Sequence, residues 1–297
     1  MMRYFLLLVG LWAGSLQAQE SVELKFKPQG TANVFVQTTD NTTLSQLKVE
    51  DANGNVLLDR KTTTGKVTAF TETILQRDAA QLPVKIERVY KTCKLREGES
   101  LQDLLNEGGT VIITKEQDQY RPVLKDGTRV EGKLADMLAR ETELLHQSRA
   151  EKDRILFPKK VLRAGESWTI DMPAFLKMVS KEPSWAQLTF DIPLAKGTGR
   201  LMKTFMQDGR QVGEFQFEMT LPFTAMTMGN PPKLQEFDKG ASLVLTTAMT
   251  ACIDGTIDAR SLNATMTLEG RTTVGQARAW VHTASTLKSS EVESSPR

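Results

Sequence analysis

Along most of this chain apolar and polar residues alternate with a period of two, and one long stretch abandons that rhythm. Alternation puts successive side chains on opposite faces of a strand, so it predicts antiparallel sheet with one dry and one wet face. The clearest examples lie late. Leu188, Phe190, Ile192 and Leu194 share one predicted face, and Phe215, Phe217, Met219 and Leu221 share another. Leu262, Ala264, Met266 and Leu268 alternate with Asn263, Thr265, Thr267 and Glu269. Asp208-Gly209 and Asp254-Gly255 sit between strand-like arms and predict hairpins, the second with arms over 241–253 and 261–274. Asn230-Pro231-Pro232 breaks the run, and a last strand over 277–287 carries Trp280.

The first part of the chain has the same texture. Strands are predicted over 22–27, 32–38, 43–50, 66–75 and 84–95. Leu47 and Val49 share a face, and Asn53-Gly54 marks a turn before VLLDRK. Thr62, Thr63, Thr64, Thr68, Thr71 and Thr73 suit the solvated side of a sheet, where a β-branched residue keeps its preferred backbone. Ser100 with Asp103 resembles a capping box and predicts a short helix over 100–106, stopped at Gly108-Gly109. A strand pair over 110–114 and 119–124 follows, with a turn at Asp126-Gly127.

From about Gly132 to Arg154 the period becomes helical. Leu134, Met137, Leu138, Leu144 and Leu145 form an apolar stripe among Glu, Arg and Lys, and Pro158 ends the segment. The stretch FPKKVLRAGESWTIDM, 157–172, leads back into strands; Gly165 permits a turn and Trp168 is a large core residue. One or two helical turns are predicted over 173–179. The expected fold class is mainly β (β-rich α+β): a curved antiparallel sheet, half-barrel or barrel-like sandwich, with one long amphipathic helix packed on it. The expected divisions are a leader over 1–18, an N-terminal β-rich half over 19–130, the helix over 131–157, a C-terminal antiparallel half over 158–287, and a disordered Ser- and Glu-rich tail over 288–297.

The leader changes the compartment. Arg3, the apolar run from Tyr4 to Trp12 and the small or polar residues up to Ala18 have the layout of a secretory signal peptide. That run is too short to span a bilayer, and no later segment is apolar enough for a transmembrane helix. The expected location is periplasmic or secreted. Charge adds little: 38 basic and 36 acidic residues leave a net +2, with no block of one sign to suggest nucleic acid. Two cysteines, Cys93 and Cys252, either form a disulfide joining the halves or remain separate buried thiols; spacing does not choose.

Candidate chemistry is sparse. The two histidines, His146 and His282, read as ordinary surface or interfacial imidazoles. Neither Gly98–Leu101 nor Gly165–Trp168 completes G-x-S-x-G, Gly197-Thr198-Gly199 lacks a third glycine, and DGTID at 254–258 lacks the closing Glu of a calcium loop. We therefore name no catalytic, cofactor or metal residue and expect no cofactor and no enzyme. The methionines cluster in the C-terminal half. They either fill a core or, with neighbouring Phe, line an apolar site; the candidate lining is Met202, Met206, Phe215, Phe217, Met219, Met249 and Met266. Met226 and Met228 fall in a predicted loop.

Pro158, Val161, Gly165, Glu166, Ser167 and Trp168 form P-x-x-V-x-x-x-G-E-S-W. This segment resembles one in a family of secreted bacterial β-rich proteins, where a proline-ended helix leads into long hairpins. The resemblance implies a β-rich envelope protein and names no substrate or catalytic residue. The expected function is an exported, non-catalytic protein that binds an apolar or lipid-like ligand, or an envelope partner, on a curved sheet. The alternatives are a structural or interaction module whose own helix fills the dry face, and a hydrolase with dispersed residues. The last requires His146 or His282 within hydrogen-bond reach of a Ser or carboxylate in a cleft.

Overall fold

The computed structural model describes residues 21–27, 33–117, 119–146, 149–181, 185–229 and 231–294. The expected leader, the end of the tail and Asn230 lie outside the described residues. The elements in chain order are β1 Ser21–Val22, β2 Val34–Glu50, β3 Val56–Arg77, β4 Pro83–Glu97, β5 Ser100–Leu105, β6 Thr110–Glu116 and β7 Gln119–Leu124. Helices α1 Gly132–His146 and α2 Arg149–Leu156 follow, then β8 Leu162–Arg163, β9 Ser167–Thr169, α3 Met172–Val179 and β10 Leu188–Phe190. The rest is β11 Lys196–Gln207, β12 Arg210–Met228, β13 Lys233–Glu236, β14 Ser242–Cys252, β15 Ala259–Val274 and β16 Ala277–Glu293.

Eleven of these strands lie side by side in the order β7-β6-β4-β3-β2-β16-β15-β14-β12-β11-β9, with β5 on β4 and with β10 and β13 on β12. Every pairing between these named strands is antiparallel. The sheet is curved and open, as its alternating text predicts; it does not close into a barrel. The first long strand and the last, β2 and β16, meet in the middle and pair over their full shared length.

Register defines an inner and an outer face. One row of opposed residues reads Thr64, Thr43, Ser285, Met266, Leu245 and Met219 from β3 to β12, and the next but one reads Thr68, Thr39, Ser289, Leu262, Met249 and Phe215. Both cores lie on this inner face. The first core joins α2, α3 and β9 to β11, β12, β14 and β15 around Phe157, Trp168, Phe175, Phe215 and Phe217. The second joins α1 to β2, β3, β4 and β6 around Phe70, Ile86, Tyr90, Ile113 and Leu138.

The stretch at 157–172 does what its residues predict. Gly165 turns the chain with φ +84°, a value glycine adopts without a Cβ penalty. Trp168 is buried, its Nε1–H donates to the Leu156 carbonyl at the end of α2 (2.7 Å), and its ring contacts Phe157 and Phe217. Gly199 lies opposite Trp168, and a Cβ there would overlap the indole. Gly197 makes the same room for Met172 and Ile170. The two glycines serve packing.

Several expectations need correction. Residues 100–105 form β5, not a helix: Gly98 turns at φ +66° and Ser100 pairs with Glu97, so ladder hydrogen bonds outweigh a short capping signal. The segments at 32–38 and 43–50 are one strand, as are VLLDRK and 66–75, because both partners run on without a break. Of 22–27 only the start is strand; the remainder is anchored by Lys25 N–H to the Ile253 carbonyl (2.9 Å). Of the helix expected over 131–157 the described residues form α1 and α2, and the turns expected over 173–179 form α3. Ile192 and Leu194 leave the strand for a 3₁₀ turn at Pro193, which has no N–H to give a ladder, and both are exposed. Met226 and Met228 lie in β12, paired with β13. Lys288 to Glu293 belong to β16 instead of a disordered tail. They pair with Phe35 to Asp40, and Glu293 holds Lys27 at 2.6 Å.

Cys93 and Cys252 are free thiols, which corrects the disulfide reading. Cys93 faces inward on β4. Cys252 ends β14 on the outer face, five strand spacings along the sheet. Their side chains leave opposite faces of the sheet, so the Cβ vectors do not converge as a disulfide requires.

Candidate binding face and its buried ion cluster

Composition changes sideways across the inner face. On β12, β14 and β15 it is apolar, and Leu245, Leu262 and Met266, with Val281 of β16, remain half-buried at the rim of the first core. On β2 and β16 it turns mainly to hydroxyls and amides, Thr39, Asn41, Thr43, Ser45, Thr283, Ser285 and Ser289, with Leu47 and Leu287 among them, all half-buried. The hydroxyls bond across strands, Thr43 to Ser285 at 2.8 Å and Thr283 to Ser45 at 3.3 Å. This set forms a polar strip between the two cores.

Beyond the strip, under α1, lies a cluster of buried charge. Arg88 of β4 and Glu72 of β3 have no exposed side-chain surface, and Arg88 Nε donates to Glu72 Oε2 at 2.8 Å. The guanidinium sits 4.6 Å from the Phe70 ring centre. Glu141 of α1 comes down over it, with Oε2 4.0 Å from Arg88 Nη1, beyond a hydrogen bond, while Oε1 pairs with Lys66 at 3.3 Å. Both Nη atoms of Arg88, the Tyr90 hydroxyl, Thr68 Oγ1 and Glu141 Oε2 are buried with no hydrogen-bond partner among the described residues. Burial alone would lower the Arg88 pKa; the carboxylates of Glu72 and Glu141 outweigh it and keep the guanidinium charged. Burial pushes the Tyr90 phenol up and the Cys93 thiol up to about 12, so both are neutral at physiological pH.

Of the sequence candidates only Cys93 lies beside this cluster, and its charged members are not among them, although a signal was present. Arg88 falls in phase with Ile86 and Tyr90, Glu72 with Phe70 and Ile74, and Glu141 on the stripe of Leu134 and Leu138. Each is a charge at a core position, with complementary signs on neighbouring strands. Thr68, read as solvated, is buried.

Of the apolar candidates, Phe215, Phe217, Met219 and Met249 are buried within the first core, with the Phe157 ring 5.0 Å from Phe215 and 5.5 Å from Phe217. Met266 is half-buried at its rim. Met202 and Met206 are exposed on β11 and do not join the others. Only Met266 of this set therefore faces the open part of the inner face.

The His146 side chain lies outside the described residues. His282 is on the outer face, stacked on Trp280 (5.3 Å between centroids), with Nδ1 3.0 Å from Glu269 Oε1. A carboxylate thus lies within reach of one histidine. Among the described residues no hydroxyl or thiol bonds to that ring.

These features define a class by geometry: an open antiparallel sheet whose inner face is covered by helices at both ends and grades from apolar to polar between them. No family model and no curated protein matches this chain. Among solved structures, Ail, the attachment invasion locus protein of Yersinia pestis, aligns over 86% of this chain and 97% of its own, with 4% identity and a TM-score of 0.13. The Pseudomonas aeruginosa MucA/MucB complex aligns over 82% and 88%, with 10% identity and a TM-score of 0.18. The toluene transporter TodX of P. putida aligns over 92% and 94%, with 7% identity and a TM-score of 0.18. Scores this low carry no functional argument.

Proposed function

We propose that this chain is an exported, non-catalytic binding protein of a bacterial envelope, located in the periplasm or outside the cell, and that its inner face holds a lipid-like amphiphile. The leader-like N-terminus and the P-x-x-V-x-x-x-G-E-S-W resemblance support the location and the bacterial envelope. One observation carries the binding reading: rows such as Thr68, Thr39, Ser289, Leu262, Met249 and Phe215 run from polar to apolar across a face that the helices cover at its ends. An amphiphile satisfies both parts, with its chain on Leu245, Leu262 and Met266 and its polar part over the hydroxyl strip.

Native mass spectrometry of the mature chain from its own compartment tests this. The expected result is extra mass that is lost on denaturation, and lipid adducts on titration. A bare chain to which no lipid adds would overturn the binding reading and leave the structural or interaction module ahead.

A further inference from the structure

We propose that Arg88 and Lys66 form the head-group site for an anionic amphiphile, and that Glu141 of α1 occupies that site in the ligand-free protein. The inference rests on the binding reading above and adds the chemical class of the ligand: a long-chain carboxylate or other mono-anion.

Three observations lead to it. First, both Nη atoms of Arg88 lack a partner within hydrogen-bond distance among the described residues, in a side chain with no exposed surface, and Nη1 is the one nearest Glu141 of α1. A buried guanidinium that uses one of its donor positions retains capacity for an oxyanion, which it binds best in a paired geometry. Second, part of the counter-charge comes from α1. Arg88 pairs with Glu72 of the sheet, whereas the carboxylate beside Lys66 and nearest to Arg88 Nη1 is Glu141 of the helix. Its fit to Arg88 is poor, at 4.0 Å, so a better-placed anion can replace it. Third, α1 has a seam along one side: a cleft of about 590 Å³ lies between it and the β6–β7 hairpin, lined in part by Tyr120, Val130, Ala135 and Arg140. Lifting α1 along that seam uncovers the charged pair, and Lys66 lies opposite Asn41 of the hydroxyl strip, where the polar part of the amphiphile rests.

The exchange is a replacement of one anion by another. The ligand's carboxylate accepts hydrogen bonds from Arg88 Nη1 and Nη2 and from Lys66 Nζ, and Glu141 moves into solvent with α1. The Tyr90 hydroxyl, which faces the Arg88 guanidinium, supplies a further donor.

The test titrates the mature chain by native mass spectrometry with dodecanoate and with methyl dodecanoate, which has nearly the same chain and no charge. Dodecanoate is expected to bind at least tenfold more tightly. Glu141→Gln is expected to strengthen dodecanoate binding several-fold and leave the ester unchanged. The double variant Glu72→Gln/Arg88→Met, which leaves no lone charge at that pair, is expected to lose the preference and keep ester binding. Lys66→Gln, at a half-buried position and less demanding on folding, is expected to reduce the preference. Equal binding of acid and ester by the wild type would overturn the head-group site and leave the carrier reading standing. Binding of neither compound would overturn both. A preference unchanged in the folded double variant and in Lys66→Gln would place the anion elsewhere and overturn the assignment.

Discussion

At the scale of single residues, two positions show how tightly neighbours constrain this chain. Gly199 has ordinary strand geometry, and what it supplies is space for the Trp168 indole. Gly199→Ala is expected to cost about 1–3 kcal/mol, because overpacking forces a buried ring off its rotamer and off the Leu156 carbonyl. Chemical denaturation followed by tryptophan emission would measure the loss, and an unchanged midpoint would contradict the packing role. Arg88 tests the opposite situation, a charge held where an apolar side chain is expected. Arg88→Met alone leaves Glu72 buried with its main cation removed and is expected to destabilise by about 3–5 kcal/mol. Adding Glu72→Gln is expected to recover most of that loss. A double-mutant cycle on unfolding free energies gives the coupling; additive effects would show that the two side chains stand independently.

At the scale of elements, the Asp254 turn is a latch whose sign with pH can be worked out. Asp254 Oδ1 accepts from the Thr256 backbone N–H, the Thr256 hydroxyl and Cys252 Sγ, and Oδ2 accepts from Gln211 N–H at 2.8 Å, tying the β14–β15 turn to the start of β12. The Thr256 hydroxyl, set against partial desolvation, and the two backbone N–H groups hold this carboxylate well below its ordinary value of 3.8. A depressed carboxylate adds stability above its unfolded pKa and loses it as pH falls through the folded value. Asp254→Ala is therefore expected to cost about 1–3 kcal/mol near neutrality, the scale of hydrogen bonds to a charged group. The gap between variant and wild-type melting temperatures is expected to narrow below about pH 4. A gap that holds constant down to pH 2 would show that charge plays no part in the latch. Hairpins like this one were legible in advance, since Asp-Gly and Asn-Gly dipeptides act through their own backbone. The error at Ser100 to Leu105 has the opposite cause: local text resembled a helix cap, while the deciding hydrogen bonds come from β4. The same logic hid the ion cluster. Period-two text identifies which residues share a face of one strand, but the meeting of Glu72, Arg88 and Glu141 depends on which strands adjoin and where a helix lands.

At the scale of the molecule, the decisive feature is that the chain's first long strand pairs with its last. Strands β2 and β16 join two cores that form separate apolar clusters among the described residues, one on either side of the hydroxyl strip, so the continuity of the sheet makes them one structure. The last residues of β16 are part of that seam. Ser289 pairs with Thr39, Glu291 with Gln37, and Glu293 with Phe35, while Glu293 also binds Lys27 and accepts from Asp258 N–H. Removing residues 288–297 would strip the pairing from one end of β2, beside the second core. A dispensable tail would leave cooperativity unchanged; a seam strand would not. The two thiols report on the two regions, because Cys93 belongs to the second core and Cys252 lies beside the first. In the full chain, thiol-labelling mass spectrometry along a denaturant series is expected to show both thiols, each unbridged, becoming reactive at one midpoint. In the 288–297 deletion Cys93 is expected to become reactive at lower denaturant than Cys252, since its core then loses its tie to the C-terminal strands. Coincident midpoints in the deletion would mean that β2 and β16 hold the halves together through residues 277–287 alone, and that the end of the chain adds length to the seam without strength.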